Sequence, residues 1–461
     1  MTFVSFEYLV LLLATFAAYY LLPWRVRILV VLVASYVFYA YWEPYYAYII
    51  GFTTLMDYAA GLLMDRSQDP RRRKLYLGMS VAANLGMLGY FKYTNFALGS
   101  LKALLGPSVS LPVLNVLLPA GISFYTFQEM SYTIDVYRRR IQPTRDLALF
   151  ATYVSFFPQL VAGPIERAEN LLTQLARPQR FDFERVSSGV GLIFVGLFKK
   201  LVLADRLSPV VYPMFRDPAG YDAYALLLAL VTMPVALYLD FGAYTDIARG
   251  SGRMLGIELS RNFDFPFSSR SPGELWQRWH VTLTTWMRDY VFVALPGNPA
   301  LSLIVPAALI GLWHGAAWKF VLWGLGNGAA LAAYVAWRIH GPSASHRRAT
   351  SPASLAGTAL FWAWTMLLMA LFFCPDLATA TLYWRQLFSA PWVSMGNPSL
   401  LALLVFLALF MAVQLGGRHA PWREWWARTP AGARGLLFAV LFYLVLFGSV
   451  PVGQKFVYYQ F

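Results

Sequence analysis

Two of the five histidines, His280 and His314, lie inside strongly apolar, tryptophan-rich segments, RSPGELWQRWHVTLTTWMRDY and IGLWHGAAWKFVLWG. An ionisable side chain in such a setting is costly and marks a functional site by default. An imidazole whose ordinary pKa is near 6.5 suits removal of a proton from a hydroxyl at neutral pH, so general base catalysis is one reading. Haem ligation across a helical bundle also uses two histidines, and a proton relay in a transporter uses buried ones. A metal site asks for three or four ligands. No third histidine, cysteine or carboxylate is placed beside either residue, so no bound metal is expected. His340, His346 and His419 sit in arginine-rich, proline-containing loops, where a solvated imidazole needs no special role.

The neighbours refine these readings. Ser271, Pro272 and Glu274 form a helix start: a capping serine, proline at the first helical position and a glutamate three residues after the cap. Trp276, Trp279, Leu283, Trp286 and Tyr290 then recur at helical spacing, as a packing or interface stripe, and a continuous helix puts His280 on one face with Trp276 and Thr284. Around His314, Gly311 and Gly315 make a small-xxx-small pattern that lets a helix or a substrate approach the backbone. Trp313 and Trp318 flank the imidazole as apolar walls that exclude bulk water yet admit a slender thioester arm. Arg253, Arg261, Arg270 and Arg278 suit the phosphates of a nucleotide-bearing donor, or equally an ordinary cytoplasmic rim. Tyr244, Asp246 and Arg249 suit a polar cavity or helix-to-helix hydrogen bonds, while Lys199 and Lys200 are expected to snorkel to an interface.

The elements that must carry these groups follow from composition. Of 461 residues, 58% are hydrophobic, 17% aromatic and 13% charged, against about 25% charged in a soluble domain. At roughly 20 apolar residues per crossing, the chain is an all-α polytopic integral membrane protein with about eleven transmembrane helices plus re-entrant or partial ones. The net charge of +14 is explained by lysine and arginine in cytoplasmic loops, so no nucleic acid is expected as a partner and membrane lipid is. A single cysteine, Cys374, excludes an internal disulfide framework. Met1 to Glu7 lacks a basic n-region, so the first apolar run is expected to stay as a helix.

Runs at 3–22, 28–42, 45–64, 75–91, 116–137, 188–207, 223–241, 276–295, 301–323, 320–337, 355–373, 400–415 and 436–450 predict spans, some overlapping. Phe156–Ile165, with two prolines and a glycine, is expected to be re-entrant. The whole chain, 1–461, is expected to form one transmembrane domain: N-terminal helices in 1–145, a core with both histidines in 146–338, and C-terminal helices with an aromatic tail in 339–461. Basic residues after the first, third and fifth runs (Arg25 and Arg27; Arg66 and Arg71 to Lys74; Arg138 to Arg140) place the N-terminus outside, and the last span delivers the tail to the exterior as well.

At these segments the sequence resembles the membrane-bound O-acyltransferase family, in its bacterial branch of alginate and peptidoglycan O-acetyltransferases and teichoic-acid D-alanyl transfer proteins. Four blocks carry the resemblance: FFPQLVAGPIERAENLLTQL at 156–175, YTDIARGSGRMLGIELSRNFDFPF at 244–267, WQRWHVTLTTWMRDYVF at 276–292 and GLWHGAAWKFVLWG at 311–324. It implies a helical body pierced by a central tunnel, with His314 as the catalytic histidine and His280 as the second, tunnel-lining one. Trp313, Trp318 and Trp279 are expected beside them. It further implies no bound cofactor, a cytoplasmic donor substrate (acetyl-CoA or an acylated carrier protein), location in a bacterial inner membrane, a cell-surface polysaccharide as acceptor and a separate periplasmic transferase of hydrolase type. The ending Phe456-Val-Tyr458-Tyr-Gln-Phe461 fits an aromatic F-x-Y-x-x-F tail, with Tyr458 expected to accept the acyl group or position the acceptor. In most relatives the two histidine blocks stand further apart, across a Gly-Gly-Asn-Arg-like loop. Here only the short run LPGNPALSLIVPAALIG precedes Leu312, which puts carrier-protein docking and the identity of the polymer in doubt.

Overall fold

A computed structural model describes residues 1–449 except 107, 296, 341–351, 395, 396, 419, 421–424, 426 and 427. Tyr458, His346 and His419 therefore lie outside the described residues. Those residues are helical, with no strand among them, as continuous apolar runs without room for alternation require. The chain divides into two compact units, each described by itself: Met1–Leu197 with Tyr244–Arg261, and Phe198–Ala243 with the described residues from Asn262 onward.

The first unit holds α1 (Phe6–Leu21), α2 (Trp24–Ala40), α3 (Tyr45–Arg66), α4 (Pro70–Leu88), α5 (Thr94–Leu105), α6 (Ile122–Tyr137), α7 (Leu147–Ser155), α8 (Ala168–Leu175) and α9 (Phe183–Leu197). Local chemistry sets several starts. The Ser5 hydroxyl accepts from Tyr8 N at 3.3 Å to begin α1, and the Asp69 carboxylate accepts from Arg71 N at 2.8 Å, with Pro70 at the first position of α4. The span expected from 116 begins only at Ile122, after Gly121 in a left-handed conformation (φ 78°). Nearly every side chain of α6 is buried. The buried Arg73 guanidinium gathers the carbonyls of Met64, Val136 and Tyr137, satisfying acceptors that the ends of α3 and α6 leave open. Phe156–Ile165 is indeed irregular and wholly buried. Its backbone is satisfied inside protein, with Phe157 N donating to Ser35 Oγ at 3.1 Å and Gly163 N to Gln159 O at 2.8 Å, the condition for broken structure in an apolar setting.

The second unit holds a π-helical stretch (Phe198–Ala204), α10 (Asp205–Arg216), most of α11 (Ala223–Met254), α12 (Pro272–Arg278), α13 (Val281–Trp286), α14 (Pro299–His314), α15 (Trp318–His340), α16 (Pro352–Phe373), α17 (Leu377–Ser389), α18 (Pro398–Gly417) and α19 (Ala431–Gly448). Across the described residues, seven helices are long and apolar enough to cross a membrane. On α18, Leu401, Val405 and Leu409 stand one turn apart and are 47%, 60% and 64% exposed. An outward apolar stripe of this kind suits lipid and would be a liability in water. The snorkelling expected of Lys200 does not occur. It is 1% exposed, and its Nζ lies 2.8 Å from both Asp205 Oδ1 and Asp240 Oδ1. Two carboxylates in the interior pair with the ammonium, and neither lies next to it in sequence.

Outside the spans, two aspartates anchor helix starts. The Asp222 carboxylate at the head of α11 accepts from Ala225 N at 2.9 Å, Val393 N at 2.9 Å and the Ser394 hydroxyl at 2.8 Å. Partial burial pushes its pKa up, but these donors outweigh it and hold the carboxyl below the usual range. Asp376 caps α17 through Thr379 N and its hydroxyl, both at 2.8 Å, which lowers its pKa in the same way.

Candidate active site

Both imidazoles belong to the second unit and are buried, His280 at 1% and His314 at 5% exposure. They are presented in opposite ways. His314 is the last residue of α14, followed by Gly315 in an extended conformation and, after a three-residue break, by α15. The overlapping runs expected at 301–323 and 320–337 are thus two helices joined by a tight turn. The turn is possible because the glycines let them touch: a Cβ at Gly311 would lie 2.0 Å from Phe320 O, and one at Gly315 would lie 2.1 Å from the Phe320 ring. Gly324 and Gly328 reciprocate from α15, against Ala307 and Ile304. The small-residue pattern therefore admits the next helix of the same chain, as close packing between membrane helices requires.

His280 is held by a break. The expected continuous helix over 276–295 is instead α12, α13, a π-helical turn and a short 3-10 turn. His280 sits between α12 and α13 with φ 43°, a left-handed conformation uncommon outside glycine, though histidine, like asparagine and aspartate, adopts it more readily than other residues. The start signal acts as the sequence indicates, the Ser271 hydroxyl accepting from Glu274 N at 3.2 Å. The shared face with Trp276 and Thr284 does not survive, since the helical register restarts at Val281. What holds the break is the segment from Asn262 to Phe267. Val281 N donates to Asn262 O at 2.9 Å, the Thr282 hydroxyl to Asn262 Oδ1 at 2.6 Å, and Asp264 N to Arg278 O at 3.0 Å. Asn262 is fully buried, so the backbone groups freed by the break find partners without water.

Aromatic rings enclose both imidazoles. Trp313 packs edge-on against His280 (centroids 5.7 Å apart) and against His314 (5.1 Å). Phe241 closes on His280 at 4.7 Å, while Trp323 and Phe372 close on His314 at 5.5 and 5.2 Å. The Lys319 ammonium, at the start of α15, donates to Phe372 O at 3.3 Å and to Cys374 O, fixing the chain that carries the Phe372 ring. Trp323 also forms part of the wall of a cavity of about 30 Å³, with Trp276, Trp279, Asn327, Thr365 and Met366. That is room for about two waters.

The other expected residues divide. Trp313 lies between the histidines as a shared neighbour, and Trp279 packs on Phe263 at 5.1 Å and lines the cavity. Trp318 opens α15 with 55% of its surface exposed. Arg278 is engaged by Glu274 (3.2 Å) and Asp264 (3.4 Å), and Arg270 gives its backbone N–H to Glu274. Arg249 pairs with Asp246 at 3.6 Å. Asn262, Phe241, Trp323 and Phe372 carried no individual expectation. The first three lie in or near quoted blocks, whereas Phe372 sits in an unremarkable apolar run.

A buried imidazole at a helix end, walled by rings beside a small cavity, suits acid–base chemistry on a substrate shielded from water. The chain is 40% identical over 354 residues, 74% of this chain and 70% of the relative, to a probable alginate O-acetylase of Azotobacter vinelandii. It is 31% identical over 336 residues, 66% of this chain and 63% of the relative, to a peptidoglycan O-acetyltransferase of Helicobacter pylori. It is 27% identical over 240 residues, 48% of this chain and 60% of the relative, to a teichoic acid D-alanyltransferase of Bacillus subtilis. Residues 133–375, which contain both histidines, match the MBOAT description, and the chain belongs to the membrane-bound O-acyltransferase family.

Proposed function

We propose that this acyltransferase passes acetyl groups from a cytoplasmic thioester, acetyl-CoA, toward hydroxyls of a cell-surface polysaccharide, with His314 as the general base. The observation that carries the reading is the placement of His314: a buried imidazole at the end of α14, boxed by Trp313, Trp323 and Phe372. The imidazole takes the hydroxyl proton as the oxygen attacks the thioester carbonyl. The tetrahedral intermediate then expels the thiolate, which recovers the proton from the imidazolium. His280, across Trp313, orients a reactant. The cavity walled by Trp323, sized for about two waters, is too small as it stands to hold a thioester arm. The polysaccharide acceptor is supported by the relatives, a probable alginate O-acetylase and a peptidoglycan O-acetyltransferase.

The finer parts rest on the sequence. The basic loops favour an inner-membrane protein with both termini outside. Tyr458 would then stand where the acyl group emerges, to accept it or position the acceptor before a periplasmic hydrolase-type partner completes transfer. Arg270 and Arg278 remain donor-phosphate residues only if a bound donor displaces Arg278 from its carboxylates. The test is transfer of labelled acetyl from acetyl-CoA by the full chain in proteoliposomes, wild type against His314→Ala; equal rates would remove the mechanism.

A further inference from the structure

The first unit contains a second polar centre, remote in sequence from either histidine block. Helices α3, α4 and α6 pack pairwise, and each brings polar side chains about one turn apart to the same place: Thr54 and Asp57, Ser80 and Asn84, Glu129 and Thr133. All six are at most 2% exposed. Asp57 Oδ1 accepts from the Ser80 hydroxyl and Oδ2 from Asn84 Nδ2 at 2.7 Å. Ser80 Oγ lies 3.0 Å from Thr133 Oγ1, and Glu129 Oε1 accepts from the Thr54 hydroxyl at 3.2 Å. Ser80 thus joins Asp57 to α6, and Thr54, one turn from Asp57, joins α3 to Glu129; among the described residues neither carboxylate is ion-paired with a lysine, arginine or histidine.

Two further atoms indicate what the centre takes. Asn84 turns its amide nitrogen to Asp57 Oδ2 and Ser80 O, so its oxygen is fixed by the hydrogen-bond pattern, and that oxygen is buried with no donor. Glu129 Oε2 is buried with no donor as well. The Asn84 oxygen can only accept and so lacks a donor or a positive charge, and Glu129 Oε2 lacks the same whenever its carboxyl is ionised. A buried carboxyl takes up a proton unless its charge is paired or coordinates a metal, and a donor set made only of carboxylate, amide and hydroxyl oxygens is the one that hard cations select.

We propose that Asp57, Asn84 and Glu129, with the hydroxyls of Thr54, Ser80 and Thr133, form a binding site for one small hard metal cation. The two carboxylates are neutralised either by one divalent ion or by one monovalent ion together with a proton retained on a carboxyl. The test is equilibrium dialysis of the purified full-length chain in detergent against radiolabelled sodium and, separately, radiolabelled calcium, with choline chloride holding ionic strength constant. About one ion per chain is expected in one arm, sodium marking the monovalent form and calcium the divalent form. Binding should weaken about tenfold or more in Glu129→Gln and also in Thr54→Val, which leaves both carboxylates in place. Retention of neither ion by the wild-type chain would overturn the proposal, and so would equal binding by wild type and Glu129→Gln. Because the wild-type measurement stands alone, a variant that fails to fold does not rescue the idea.

Discussion

The α14–α15 hairpin and the α12–α13 break deliver one imidazole each, by different physics. The hairpin is regular helix brought close by glycine, so His314 needs no unusual backbone. The break sets His280 in a left-handed conformation, and only the surrounding bonds from Asn262 and Asp264 make that conformation the stable one. One histidine is positioned by packing alone, the other by strain that neighbours must offset.

The largest effect that tests this contrast is chemical. His314→Ala is expected to lower acetyl transfer by about 10²–10⁴-fold, the range for a positioned acid or base. A rate near wild type would separate the hairpin from the chemistry. Next is the glycine seam. Gly324→Ala places a Cβ 2.3 Å from Ala307 O and is expected to destabilise by about 1–3 kcal/mol as overpacking, read by thermal unfolding, with activity falling because the hairpin carries His314. Unchanged stability would mean that the helices can separate freely.

A reciprocal pair of substitutions sharpens the comparison. At position 280 glycine should be more stable than alanine by about 1 kcal/mol, because only glycine accepts positive φ without penalty. At 314, a helical position, alanine should be the more stable by up to about 1 kcal/mol. The same order at both sites would defeat the assignment of strain to 280. The smallest effect lies away from both. The lowered pKa values of Asp222 and Asp376 mean that their contributions are present above the ordinary carboxylate pKa and fade as pH falls through the depressed values. Asp376→Asn should therefore flatten the acid side of the stability profile, and a profile identical to wild type would contradict the cap's charge-assisted role.

Much of this could be read in advance, for reasons that particular residues make plain. Ser271, Pro272 and Glu274 announce a helix start through local bonds within four residues, and the start is where they put it. Phe156–Ile165 reads as broken because proline and glycine act locally. The break at His280 was hidden, because Trp276, Trp279, Leu283, Trp286 and Tyr290 keep helical spacing across it and its cause is Asn262, in another segment. Lys200 looked like an interface lysine, since nothing near it in sequence reveals Asp240 beside it. The residues alone also left an enzyme, a transporter and a haem protein open; family membership decides for the acyltransferase.

By itself, then, the sequence determined the membrane setting, the helical class and the two histidines worth watching, because composition, caps and the cost of a charge in an apolar run are local properties. Tertiary structure alone decided that Gly311 and Gly315 meet Phe320, that Trp313 touches both imidazoles, and that Trp323 is in contact with His314 and also walls the cavity. Those outcomes depend on which distant side chains share a space, and no spacing along the chain encodes a contact whose partner lies in another helix.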